Sequence, residues 1–342
     1  MSNTSFDINR LAAILLRMDS YMIIILYITG VGGASLNIIT FLQKQLRRNP
    51  CANYFLSGSI VDFCLMNITL LLDIIITYDK IPSNRIYFTR VWCKLGNYLT
   101  FILTCLSSCF IILASVDRFC ASSLNQTLRK CSRLKVSRIV IGLVLAVWML
   151  FGLHILIAYD YLRDPISNVT RCTVQTSSAT AFVVIDGYFF SLFNGAIAPF
   201  LLCVFGMTII YNVRMSRRRV TAQAENDIQL NRRSIANRQH IHMIKMLLAQ
   251  VLLTVILNIP YVVIYLLGFY QSIPVDPLAL VLLIVFSYIG RWFYYMNYCK
   301  NFYVNTLTST LFRSSLWKQF HVFFRYELLV LTRVGVHFSR NN

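Results

Sequence analysis

Seven apolar stretches of membrane-spanning length recur along this chain, near Ser20 to Phe41, Tyr54 to Tyr78, Cys93 to Ala121, Val136 to Tyr159, Ala179 to Met215, Ile241 to Tyr270 and Leu278 to Asn305. A hydrocarbon core roughly 30 Å thick demands about 20 such residues per crossing, because in lipid only a continuous helix satisfies its own backbone hydrogen bonds. With 57% hydrophobic and 13% charged residues, the chain is too oily for a soluble protein of its length. The expected fold is an all-α membrane protein, a bundle of seven transmembrane helices over residues 20–308. A tail, residues 1–19, precedes it, and residues 309–342 form a cytosolic amphipathic helix and C-terminal tail.

A formal net charge of +19 would suit a nucleic-acid binder. Here, however, the basic residues sit in alternate loops: Lys44, Arg47 and Arg48, then Arg129, Lys130, Arg133, Lys135 and Arg138, then the arginines from Arg214 to Arg238. That pattern orients spans and excludes nucleic acid as the partner. Basic loops stay in the cytosol, so the N-terminus is expected outside the cell, the C-terminus inside, and the chain in the plasma membrane. The sequons at Asn3 and Asn168 fall on the expected outer side and are candidate glycosylation sites. Only Cys93 and Cys172 of the ten cysteines face out, where conditions are oxidising, so these two are expected to pair.

Each span also contributes a distinctive residue in order: Asn37, Asp62, Cys93 with Asp117-Arg118-Phe119, Trp148, Pro199 and Pro260, and finally Asn301-Phe302-Tyr303-Val304-Asn305 followed by Phe312-Arg313. Taken in register, the series resembles the rhodopsin-like (class A) G-protein-coupled receptors over almost the whole chain. It looks most like their invertebrate neuropeptide or FMRFamide-receptor-like branch. The resemblance implies a cell-surface receptor that binds an extracellular peptide-like ligand and activates heterotrimeric G proteins, with arrestin and receptor kinases as further partners. Ser314 and Ser315 are candidate kinase sites. A receptor-shaped decoy that does not signal and, less favoured, a small-solute transporter remain the alternatives.

Residue roles follow from both readings. A carboxylate at mid-membrane is costly, so Asp62 should face the interior and find partners among Asn37, Ser107, Asn297 and Asn301. The resemblance implies that this cluster holds an allosteric sodium ion at rest, with no other cofactor; a dry hydrogen-bond network is the alternative. For G-protein coupling the resemblance points to Asp117, Arg118, Phe119, Asn301 and Asn305. Family members often clamp this arginine with an acid at the inner end of span six, where this chain has His240 and His242. A weak resting lock and high basal activity are expected. Thr254 and Asn258 replace aromatic residues of the family's switch near Pro260, and Phe302 replaces a proline in span seven.

The ligand class is read from the outer halves of the spans. Thr100 stands where amine receptors carry an aspartate, and no lysine occupies the retinal position, since Lys300 is too deep. What remains is Asp73, Asp186 and Arg291 among Tyr98, Tyr261, Tyr265 and Tyr294, a set suited to a peptide with a cationic side chain beside an aromatic one. Internal pairing of Arg291 with Asp73 or Asp186 is the other reading. No metalloprotease motif, nucleophile elbow or phosphate loop occurs, so an enzyme is not expected.

Overall fold

The computed structural model describes residues 2–78, 89–123, 125–163, 170–174, 189–223, 230–269, 277–319 and 321. Seven long helical segments form one bundle, and six of them are apolar and long enough to cross a membrane. The seventh, Pro277–Thr308, carries Arg291, Asn297, Lys300, Asn301 and Asn305 after a largely apolar run from Leu278 to Ile289.

The third span, Arg90–Ser122, is the axis: 61% of its apolar window is buried, against 33% or less for the other five. Leu150, Ile157 and Phe200 on the flanking spans stay largely exposed. That arrangement turns apolar surface outward, as a lipid environment requires.

Local chemistry sets the ends. Pro50 opens the second span, Pro50–Tyr78, where its missing N–H costs nothing, and the Asn49 side chain caps the helix by accepting from Cys51 N at 3.0 Å. Thr89 caps the third span through Trp92 N. The fourth span runs as Leu134–Phe151 and Leu153–Ala158 about Gly152, whose missing side chain admits Ile102 of the third span; a Cβ there would lie 2.8 Å from Ile102 Cγ1.

Two boundaries differ from the sequence-based expectation. The expected N-terminal tail is helical, since the first helix runs from Ser2 to Phe41 and its apolar stretch begins at Ala13. Strong helix formers from Leu11 to Leu16 carry it past the charged pair Arg17 and Asp19. The sixth helix, Leu230–Phe269, starts well before Ile241, because the polar residues 230–240 extend it beyond the apolar stretch. Residues 179–188 of the expected fifth span lie outside the described residues.

In the fifth span, Phe189–Leu192 passes through a π-helical turn, Phe193–Ile197, into Ala198–Gln223. Pro199 explains the turn. Lacking an N–H, it cannot close the ladder, and the bonding slips so that Ala198 N donates to Phe193 O rather than to Asn194 O. The freed Asn194 carbonyl instead accepts from Asn258 Nδ2 of the sixth span at 3.4 Å.

A short helix at residues 310–319 follows the seventh span after a break at Ser309, whose hydroxyl accepts from Phe312 N at 3.2 Å. Phe312 is fully buried, its ring 5.3 Å from Phe41 and 6.1 Å from Phe302. Arg313 Nη1 donates to the Thr306 and Leu307 carbonyls at 2.9 and 3.1 Å, closing the helix above it. Trp317 projects outward at 64% exposure. Ser314 is exposed but Ser315 is buried, which removes Ser315 as an accessible kinase site.

Candidate functional site

Three polar clusters lie along the bundle. At one end the chain between the fourth and fifth spans forms an antiparallel hairpin, β1 Tyr159–Arg163 and β2 Thr170–Val174, with Tyr161 opposite Cys172. A disulfide joins Cys172 to Cys93 at the start of the third span, as expected from cysteine topology, with Cα atoms 5.6 Å apart. A second clasp was not foreseen: Arg90 forms a two-pronged ion pair with the nearly buried Asp160 of β1, Nε lying 2.6 Å from Oδ1. Both anchors pin the hairpin to the third span.

Beneath the hairpin lie two adjoining cavities of about 300 and 280 Å³ that share Asn97, Thr100 and Tyr295. Asp73, Trp92 and Cys172 line the first; Tyr261, Arg291 and Tyr294 line the second. The Tyr261 and Tyr294 rings lie 4.4 Å apart, and the Tyr294 hydroxyl is 2.7 Å from Thr104 Oγ1. Arg291 is paired neither with Asp73 nor free. It binds Asp19 of the first helix, whose other oxygen accepts from Trp292 Nε1 at 2.8 Å. Reading Asp19 as a tail residue concealed this; its place one helix turn inside an apolar run was the available signal. Asp73 feels the Arg291 charge but enters none of the ion pairs among the described residues.

Among the expected ligand residues, Tyr98 is displaced. Its hydroxyl donates to Met149 O at 3.0 Å, making it a packing residue between the third and fourth spans and not part of either cavity. Asp186 and Asn168 lie outside the described residues, as do the side chains of Asn3, His240 and Tyr265. Asn97 and Tyr295, which bound both cavities, were missed.

At mid-bundle, Ser107 Oγ and Asn301 Nδ2 each donate to one oxygen of the buried Asp62 carboxylate at 2.6 Å. The other two expected partners belong to neighbouring clusters. Asn37 accepts from Asn305 Nδ2 at 3.2 Å, and Asn305 accepts in turn from Gln250 Nε2 at 2.6 Å. Asn297 donates to Asn258 Oδ1 at 3.1 Å. Asn258 continues to the Asn194 carbonyl, and Asn194 Oδ1 accepts from Ser108 Oγ at 2.8 Å. An amide chain thus joins spans three, five, six and seven where the sequence puts Asn258 in place of an aromatic switch. Thr254, a turn below, is buried and bonded to its own helix through Gln250 O.

At the end opposite the hairpin, Arg118 is 3% exposed and held by Asp117 through Nε at 3.0 Å and through Nη2. Its Nη2 also donates to Asn49 Oδ1 at 3.1 Å. Asp117 is fixed by Ser132 Oγ at 2.7 Å, and Phe119 lies 5.8 Å from the Phe205 ring. His242 Nε2 contacts Thr310 Oγ1 at 3.1 Å, beside the short final helix. Asn49, concealed in a basic loop, is the second restraint on Arg118.

A family model described as "7 transmembrane receptor (rhodopsin family)" matches residues 33–301, from the first span to Asn301. The chain belongs to the rhodopsin family of seven-transmembrane receptors. No curated protein matches it. Members of this family are receptors and not enzymes.

The family's sodium ion can be tested against this receptor's residues. Asp62, Ser107 and the buried, unbonded Asn301 Oδ1 supply oxygens. Each Asp62 oxygen accepts one hydrogen bond and keeps a lone pair for a cation, but the buried Lys300 already stands on the helix that holds Asn301 against it. The cavity beside Ser107 and Asn301 measures about 10 Å³, room for one water-sized particle. The set does not fit a second cation.

Proposed function

We propose that the receptor sits in the plasma membrane with its N-terminus and hairpin outside, binds a peptide-like ligand in the cavities under the hairpin, and activates a heterotrimeric G protein through the Arg118 end. Two features support the orientation: the Cys93–Cys172 disulfide belongs to an oxidising compartment, and basic loops cluster at the Arg118 end. Arrestin and receptor kinases would share the Arg118 face.

The observation that carries the ligand reading is Asp73. Its carboxylate borders the first cavity beside Trp92 and Tyr295, while the neighbouring cation Arg291 is taken by Asp19. An acid that enters no ion pair among the described residues, set among aromatic rings, suits an arginine or lysine side chain next to an aromatic one.

The test is a screen of amidated neuropeptides in cells reporting calcium and cyclic AMP, repeated with Asp73→Asn. Loss of a charge-assisted pair should weaken potency by roughly 10-fold or more for cationic peptides only. Equal potency on both receptors would remove Asp73 from the ligand site. Nucleotide exchange on purified G protein separates a signalling receptor from a decoy.

A further inference from the structure

We infer that Lys300 is a resident cation, taking the place of a mobile sodium ion as counter-charge to Asp62. Among the described residues, the buried carboxylates are Asp19, Asp62, Asp117 and Asp160, and every one but Asp62 has an arginine bonded to it. Asp62 receives only neutral donors, Ser107 and Asn301. A lone carboxylate in the middle of a membrane protein is expensive, and so is a lone ammonium. Lys300 is 6% exposed and adjoins Asn301, whose amide donates to Asp62; among the described residues the two charges form no direct ion pair, so the link runs through that buried neighbourhood. The two together are neutral.

Lys300 is also fixed in place. Its Nζ donates to the backbone carbonyl of Asn297 at 2.6 Å and to Asn297 Oδ1. Asn297 is the span-seven end of the amide chain through Asn258 and Asn194 to Ser108. The positive charge is therefore tethered to the same helix that presents Asn301 to Asp62. Adding sodium would leave a buried net positive charge and set two cations against each other at low dielectric. The oxygens of Asp62, Ser107 and Asn301 nonetheless form a usable cradle once the ammonium is gone.

The experiment measures the melting temperature of the purified receptor in lipid nanodiscs, in NaCl against choline chloride at equal ionic strength up to roughly 0.15 M. The unmodified receptor should shift by less than about 1 °C, whereas Lys300→Met should gain about 3 °C or more in sodium alone by mass action. A saturable, sodium-specific stabilisation of the unmodified receptor overturns the inference, as does a Lys300→Met variant that ignores sodium. A second measurement needs no sodium response. Asp62→Asn strands the lysine, so Asp62→Asn combined with Lys300→Met should melt higher than Asp62→Asn alone; an equal or lower melting temperature overturns the pairing.

Discussion

Arg118 is held by two residues of different character, and the difference decides how the receptor should behave at rest. Asp117 is its chain neighbour and moves with it, whereas Asn49 belongs to the loop before the second span and ties Arg118 to another element. Only the second bond has to break when Arg118 turns away from that loop. A hydrogen bond to a charged group contributes about 1.5–3 kcal/mol, roughly a 10- to 150-fold bias between two conformations. Asn49→Asp keeps the helix cap, adds a carboxylate opposite Arg118, and should lower agonist-free nucleotide exchange several-fold. Asn49→Ala should raise it. Unchanged basal exchange in both variants would mean that Asn49 is only a cap. Reading the sequence for an acid on span six missed this residue because an asparagine in a basic loop carries no periodic signal; its partner is far away in the chain.

Among whole elements, what was legible and what was not divides by the physics involved. Burial in lipid is a property of consecutive residues, so the second, third, fourth and seventh spans were placed within a few residues of Pro50–Tyr78, Arg90–Ser122, Leu134–Ala158 and Pro277–Thr308. Helix beyond the bilayer is not marked by hydropathy, and the extensions at Ser2 and Leu230 were therefore unread. Asn37 and Asn297 were expected beside Asp62, but a sequence sets a residue's depth and helix face without fixing the neighbour across it. The hairpin was unseen as an element, though its disulfide was foreseen. Its two anchors make a prediction: Cys93→Ser should lower surface expression or ligand affinity, and Asp160→Asn should do so more weakly, since Arg90 is largely exposed and its pairing is screened by solvent. Alkylation of both Cys93 and Cys172 without prior reduction, seen by peptide mapping, would refute the bridge.

For the whole molecule, the three polar clusters form a line from the hairpin end to the Arg118 end, each crossing between helices that a two-state receptor has to shift. The cavities touch spans two to seven; the amide chain joins three, five, six and seven; Asn49 joins the second span's cap to the third. Span six is one of four elements common to the first two, with spans three, five and seven, and it carries Pro260, whose missing N–H removes one rung from the helix and leaves a hinge. A ligand that draws Tyr261 toward Asp73 and Arg291 would bias the sixth helix from above, and its long inner extension would swing away from Arg118 below. Arg118→Ala removes the group that a G protein would meet while leaving the cavities under the hairpin untouched. It should abolish agonist-stimulated nucleotide exchange, by about 10-fold or more, with agonist affinity measured without G protein changed by less than about 3-fold. Labelled-peptide binding and exchange on the same preparation decide the matter. If both fall together, Arg118 supports the fold; if neither falls, coupling runs through another surface of the Arg118 end.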